Sequence, residues 1–123
     1  MTNPFRDQTE FMLACDQTVS ERNDKQYDLY LDLIAEESAE LAEAINNVDE
    51  VEQLDALIDI LVVTIGAINS MGADGEGAWN EVMRTNFAKI DPDTGKVRKR
   101  EDGKVLKPEG WKAPELEQYL ARV

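Results

Sequence analysis

The sequence predicts an all-α domain: a four-helix bundle core followed by a short irregular or hairpin-bearing C-terminal arm. Apolar residues recur at three- and four-residue steps in four stretches, and helix caps or glycine stops separate these stretches. The chain has 123 residues, of which 42% are hydrophobic, so it suits one compact core or a share of an oligomer's core. We therefore expect a single domain over residues 1–123, with a helical core at about 7–90 and the arm at about 91–123.

The first two helices follow from apolar spacing and from one cap. A short helix is expected from about Asp7 to Thr18, and Asn23-Asp24 can cap a longer one that ends at Asn46-Asn47. The apolar residues of the first helix are Phe11, Leu13, Ala14 and Cys15, and the core stripe of the second is Tyr27, Tyr30, Ile34, Leu41 and Ile45.

The next two helices have their own boundary signals. Asp49 can cap a third helix from about Glu50 to Ser70, where Met71-Gly72 permits a left-handed end. A fourth helix is expected from about Glu76 to Ile90. It carries Trp79, Val82, Met83 and Phe87 on one side, and Asp91-Pro92 marks its end.

The tail carries turn signals rather than helical periodicity. Asp93-Thr94-Gly95-Lys96 and Glu101-Asp102-Gly103-Lys104 flank a short segment, which predicts a small hairpin or an extended arm. Residues 115–121 can add one helical stretch. The basic residues of the tail could dock on a neighbouring subunit, cover phosphates or form a solvated end.

Composition excludes several classes of protein. The formal net charge of -13 argues against a nucleic acid polymer or an anionic membrane as the main partner. Histidine is absent, which removes histidine bases and histidine ligands for zinc or iron. The lone Cys15 reads as a small buried hydrophobe in a reducing cytoplasm, and the amino terminus lacks the apolar core of a signal peptide. Asp55 and Asp59 interrupt the longest apolar stretch, which favours a buried helix over a membrane span.

Carboxylates on the second helix fall on different faces. With Ile34 at the centre of the core stripe, Glu37 lies about 60° away and Glu40 about 120° away, so both border the core. Glu36, at about 160°, is undecided between surface and site, whereas Glu43 points nearly opposite the core as solvated surface.

The third helix aligns its acidic residues more closely. Asp55 lies about 40° to one side of Asp59 and Glu52 about 20° to the other, so the three form one acidic ridge. The opposite face is apolar, with Leu57, Leu61, Ile65 and Ile68. Gly66 and Ser70 continue the ridge with small side chains, which suggests a groove that admits a ligand.

The two acidic helices together indicate a metal site. Asp59 has apolar neighbours on both sides, and no Lys or Arg occurs between Lys25 and Arg84, so a salt bridge would need another helix or chain. Facing carboxylates repel one another unless a cation neutralises them. Oxygen ligands favour Mg²⁺ or Mn²⁺. A non-catalytic acidic bundle stays an alternative, while a di-iron protein would need Glu-x-x-His pairs that this chain lacks.

These residues resemble a known family. Glu36-Glu37-x-x-Glu40, the acidic third helix and the segments 81–89 and 100–105 are similar to the MazG-like all-alpha nucleoside triphosphate pyrophosphohydrolases, over roughly residues 8–108. The match is nearest to the compact, often phage-encoded, MazZ-like branch. The family's second motif is ExxD. Its literal match is Glu52 to Asp55, but the apolar run aligns its last aspartate with Asp59, so we favour Asp55 and Asp59 and keep Glu52 in reserve.

The resemblance implies hydrolysis of a nucleoside triphosphate between the α- and β-phosphates by a homodimer or homotetramer. A purine deoxynucleotide such as dGTP is favoured, with broad or pyrimidine specificity (dUTP or dCTP) as the alternative. If the chain is phage-encoded, it would act in the host cytoplasm. The implied Mg²⁺ ligands are Glu37, Glu40, Asp55 and Asp59. The implied catalytic carboxylates are Glu36 and Glu37, with Glu36 the candidate base. The implied phosphate-binding residues are Asn86, Lys89 and Arg84, of which Arg84 could equally be a surface or interface residue. Phe11, Gln17, Tyr27 and Trp79 could contact the base or pack in the core.

Overall fold

The computed structural model describes residues 3–121 and confirms the all-α fold. Within that range the helices are α1 (Pro4–Ala14), α2 (Asp24–Asn46), α3 (Glu50–Ser70) and α4 (Gly75–Phe87), followed by strands β1 (Ile90–Asp91) and β2 (Lys96–Val97). A 3-10 turn at Glu117–Tyr119 stands where a closing helical stretch was expected. No single helix in this range is long and apolar enough to cross a membrane.

The chain divides into two compact units. The first comprises residues 3–75 together with 120–121, and the second comprises residues 76–119. The division falls at the start of α4 rather than at the predicted junction of core and arm near residue 90. The assignment of the whole chain to one domain stays a prediction.

Helix caps set the boundaries in the first unit. The side chain of Asn23 accepts a hydrogen bond from the Gln26 N–H at 3.0 Å, and Asp49 accepts one from the Glu52 N–H at 3.1 Å. Gly72 ends α3 with a φ of 72°. The predicted bounds of α2 and α3 are therefore confirmed.

The predicted start and end of α1 were wrong. The helix begins at Pro4 because Asn3 caps it, accepting from the Arg6 N–H at 2.9 Å, and proline suits the first helical turn. It ends at Ala14, and Asp16 then takes a left-handed φ of 58°. Thr18 therefore lies in the loop between α1 and α2.

The core of the first unit lies where α1, α2 and α3 meet. Met12, Tyr30, Val63 and Ala67 form its buried cluster. A Cβ at Gly66 would overlap the Tyr30 ring, so the missing side chain is what lets α2 and α3 approach there. Ser70 is fully buried and accepts a hydrogen bond from the Gln26 amide at 2.9 Å. The groove suggested above Gly66 and Ser70 is thus closed by packing, which corrects that expectation.

Several predicted core positions are exposed. Cys15 is exposed rather than buried, and α1 buries Gln8 and Met12 in place of its larger apolar residues. Ile45, assigned to the core stripe of α2, is 54% exposed, whereas its neighbour Ala44 is buried, so the buried face at this end of the helix passes through Ala44. Leu57 and Leu61 are also exposed, whereas Ile65 on the same face is buried.

The second unit contains α4 and the predicted hairpin. The fourth helix ends at Phe87 rather than at Ile90, because Ile90 pairs with Val97 in the antiparallel β1–β2 ladder. Gly95 turns the hairpin with a φ of 70°. An isolated bridge between Lys99 and Val105 continues the arm beyond it.

Candidate active site

Helices α2 and α3 bring four predicted carboxylates together. Glu40, Asp55 and Asp59 all act electrostatically on Glu37. Glu37 and Glu40 are three residues apart on α2, and Asp55 and Asp59 are four apart on α3, so each pair lies on one face of its helix. Because α2 and α3 pack along their lengths, these two faces meet.

Glu37, Glu40, Asp55 and Asp59 form an acidic cluster, in which Glu37 has a buried carboxylate oxygen. Its Oε2 atom is buried and has no hydrogen-bond partner among the described residues. Burial, hydrogen bonding to Glu40 and repulsion from Glu40, Asp59 and Asp55, in that order, raise the pKa of Glu37 to about 7. An orphaned carboxylate oxygen facing three more carboxylates is costly without a cation or a proton.

The other acidic side chains are more open to solvent. Asp59 is partly buried, whereas Asp55, Glu40, Glu36 and Glu43 are exposed. Asp59 is therefore more embedded than Asp55, and the exposed state of Glu43 agrees with its prediction as surface.

A recess lies at the turn between α2 and α3. Its volume is about 340 Å³, and Glu40, Glu43 and Glu52 line it together with the turn residues Asn47 and Asp49. Glu52, the alternative to Asp55 and Asp59 as a ligand, thus lines the same recess as Glu40 and Glu43.

The donor chemistry of the acidic cluster fits a hard divalent cation. Carboxylate oxygens are the ligands that Mg²⁺ prefers, and the unpartnered Glu37 Oε2 is an acceptor that a cation would satisfy. Within residues 3–121 no three acidic side chains already converge on one point as a preformed metal site does. A bound cation would offset the repulsion among such side chains and allow more of them to converge.

The predicted phosphate-binding residues lie in the second unit. The Lys89 ammonium donates to the Asn86 side-chain oxygen at 3.0 Å, so these two act as a pair. Arg84 instead forms a bidentate ion pair with Glu81, at 2.8 and 3.0 Å. Glu81 also accepts the Glu115 N–H, and these bonds lower the Glu81 pKa to about 2. Arg84 is thus already engaged in holding the arm.

The candidate base contacts fall in both units. Phe11 is 62% exposed in the first unit, and Trp79 is 56% exposed in the second. Gln17 accepts a hydrogen bond from the buried Tyr30 hydroxyl, which fixes the orientation of its amide. Tyr27 packs against the core cluster, which favours the core alternative for that residue.

Sequence reasoning did not single out Trp111. Its indole N–H donates to the Thr85 carbonyl at 2.7 Å, and the ammonium groups of Lys89 and Lys107 lie 5.0 and 4.9 Å from its ring centroid. The only signal in the sequence is a tryptophan within a basic tail, and such a pattern does not say which lysines it will meet.

The fold and the acidic cluster are those of an all-α protein with a candidate cation site on two packed helices. The family model described as phosphoribosyl-ATP pyrophosphohydrolase matches residues 10–86. The chain belongs to this family, which is part of the all-alpha MazG-like superfamily, and is an enzyme acting on phosphoanhydride bonds of nucleotides. A search of curated proteins gives no match.

Proposed function

We propose that the chain hydrolyses a nucleoside or deoxynucleoside triphosphate between the α- and β-phosphates, with Mg²⁺ as cofactor and Mn²⁺ as a possible substitute. The products are a nucleoside monophosphate and pyrophosphate. The buried, unpartnered Oε2 of Glu37 is the observation that carries the proposal, because a bound cation would satisfy this oxygen and offset the repulsion from the carboxylates around it. Glu37, Glu40, Asp55 and Asp59 are the proposed ligands.

The chemistry divides between the cation and the carboxylates. Bound Mg²⁺ supplies positive charge for the phosphate oxygens and makes water more acidic. Glu36 is the proposed general base: it takes a proton from the attacking water as the new oxygen–Pα bond forms. The bond from Pα to the bridging oxygen breaks, and pyrophosphate leaves with the electron pair.

Two substrate classes are proposed in order. A purine deoxynucleotide such as dGTP comes first, because the motifs resemble the compact MazZ-like branch; broad or pyrimidine specificity is the alternative within that class. Phosphoribosyl-ATP is the second candidate, because it is in the description of the matching family. Both classes contain the same α–β phosphoanhydride, so the proposed carboxylate roles are the same for either.

Pyrophosphate release from a substrate panel tests this proposal. The panel contains the common ribo- and deoxynucleoside triphosphates and phosphoribosyl-ATP, each with Mg²⁺ and with EDTA. We expect release from at least one compound with Mg²⁺, with dGTP the best, and none with EDTA. Absence of Mg²⁺-dependent release from every compound would refute the enzyme mechanism proposed here.

We also propose that the protein self-associates as a homodimer or homotetramer. Val51, Leu54, Ile58 and Leu61 are 76%, 63%, 51% and 53% exposed, and their spacing of three, four and three residues forms one stripe along α3. A contiguous apolar stripe of this kind is characteristic of a protein interface. A second copy of the same stripe is the proposed occupant, because an apolar seam on one α3 complements an identical seam on another.

A further inference from the structure

We infer that the second unit contains a binding pocket for a diphosphate group, in which Lys107 of the C-terminal arm acts together with Lys89. The pyrophosphate produced by the proposed reaction belongs to this chemical class, as does the diphosphate end of a nucleotide. Naming pyrophosphate as the ligand rests on the proposed function. The pocket itself rests on the contacts within the second unit.

The pocket is a cavity of about 530 Å³ formed by the segment that follows α4, the hairpin and the arm. This volume is within the range of about 300–1,000 Å³ that is usual for small-molecule sites. Three cationic side chains line it: Lys89, Arg98 and Lys107.

The ring of Trp111 contacts the ammonium groups of both Lys89 and Lys107. Trp111 is not one of the residues that line the cavity, and its bond to the Thr85 carbonyl fixes it to α4. Each ammonium lies at about 5 Å from the ring centroid, which is the range of cation–π attraction. Both ammonium groups therefore contact one ring, and both residues line one cavity, so an anion in that cavity would offset their charge.

Three carboxylates, Asp91, Asp93 and Glu109, also line the cavity, and none of them forms an ion pair with Lys89 or Lys107. Asp91 forms an ion pair with Arg98 at 3.6 Å and accepts the Asp93 N–H at 2.9 Å. In the described part of the chain neither Lys89 nor Lys107 forms an ion pair with a carboxylate. Two available ammonium donors are suited to an anion with several oxygens on two centres.

Isothermal titration calorimetry of the full-length protein with pyrophosphate in EDTA tests whether the pocket binds a diphosphate. Without metal the acidic cluster repels an anion, so binding reports on the cavity that Lys89 and Lys107 line. We expect saturable binding to the wild type. The affinity of Lys107→Gln should be at least about tenfold weaker, because loss of one charge-assisted hydrogen bond weakens binding by about that factor. Lys107→Arg keeps the charge and should still bind. Lys112→Gln is the matched control: it removes an exposed charge of the same arm that does not line the cavity, and should bind as the wild type does.

Titrations with orthophosphate and with a non-hydrolysable triphosphate analogue separate the sources of the diphosphate group. Tighter binding of pyrophosphate than of orthophosphate supports the pocket, and an analogue that competes with pyrophosphate assigns it to the nucleotide as well. Failure of the wild type to bind pyrophosphate, or equal loss in Lys107→Gln and Lys112→Gln, would overturn the inference. Hydrolysis measured on the same preparations keeps the two proposals apart, because nucleotide cleavage can persist when this pocket fails and can be absent when it binds.

Discussion

At the scale of single residues, Glu37 differs from the other carboxylates of α2 in its surroundings. One of its oxygens is buried without a partner, and Glu40, Asp55 and Asp59 repel its charge. Its neighbour Glu36 and the more distant Glu43 are exposed. The three glutamates therefore form a matched series on one helix, in which a proposed cation ligand, a proposed base and a surface position can be compared.

The Glu37→Gln variant tests separately whether the charge of Glu37 destabilises the metal-free protein and whether Glu37 binds Mg²⁺. In EDTA we expect its melting temperature to equal or exceed that of the wild type, because the substitution removes a charge that is costly to bury. Mg²⁺ should raise the melting temperature of the wild type and of Glu43→Gln, and should raise that of Glu37→Gln much less. An equal Mg²⁺ shift in all three proteins would contradict the role of Glu37 as a ligand.

The glutamine variants of Glu36, Glu37 and Glu43 also distinguish a general base from a metal ligand. Glu36→Gln should keep the Mg²⁺ shift in melting temperature but lose roughly 100-fold or more in kcat, the usual contribution of a general base. Glu43→Gln should retain both properties. If Glu36→Gln keeps wild-type kcat, the base is another group.

At the scale of elements, the sequence predicted α2 and α3 to the residue because asparagine and aspartate caps and a terminal glycine mark their ends. It also placed the acidic ridge of α3 against the carboxylates of α2. The start of α1 was misplaced because the prediction followed the apolar spacing, whereas the N-cap Asn3 and the first-turn Pro4 precede that spacing. The end of α4 was missed because pairing of Ile90 with Val97 overrides local helical periodicity.

The contact between Gly66 and Tyr30 could not be predicted from either helix alone. Both residues had plausible roles in the sequence, one in an open groove and the other in a core stripe. Only the packing of α2 on α3 shows that the ring occupies the space above the glycine. The contacts of Lys89 and Lys107 with Trp111 also could not be predicted, because they depend on the path of the arm.

The Gly66→Ala variant tests this packing. Overpacking costs about 1–3 kcal/mol, while alanine gains up to about 1 kcal/mol in helix propensity, so we expect a net destabilisation. Chemical denaturation should show a lower midpoint, and the loss should be smaller in a Tyr30→Leu background, where the ring is absent. An increase in stability on Gly66→Ala would contradict the close approach.

At the scale of the whole molecule, the apolar stripe of α3 leads to a test of assembly. We expect the wild type to sediment as a dimer or tetramer and Leu54→Glu to shift toward the monomer, because the charge would be buried in an apolar seam. Leu13→Glu is the matched control, since Leu13 is similarly exposed on α1. A monomeric wild type at the highest attainable concentration, or equal dissociation of both variants, would contradict the proposed interface.

The most direct test of the central claim is identification of the products formed from dGTP by phosphorus NMR in the presence of Mg²⁺. We predict dGMP and pyrophosphate from the wild type and from Glu43→Gln, and no product from Glu37→Gln or in EDTA. Formation of dGDP and orthophosphate, or cleavage that persists in EDTA or in Glu37→Gln, would contradict a metal-assisted attack at the α-phosphate by the acidic cluster of α2 and α3.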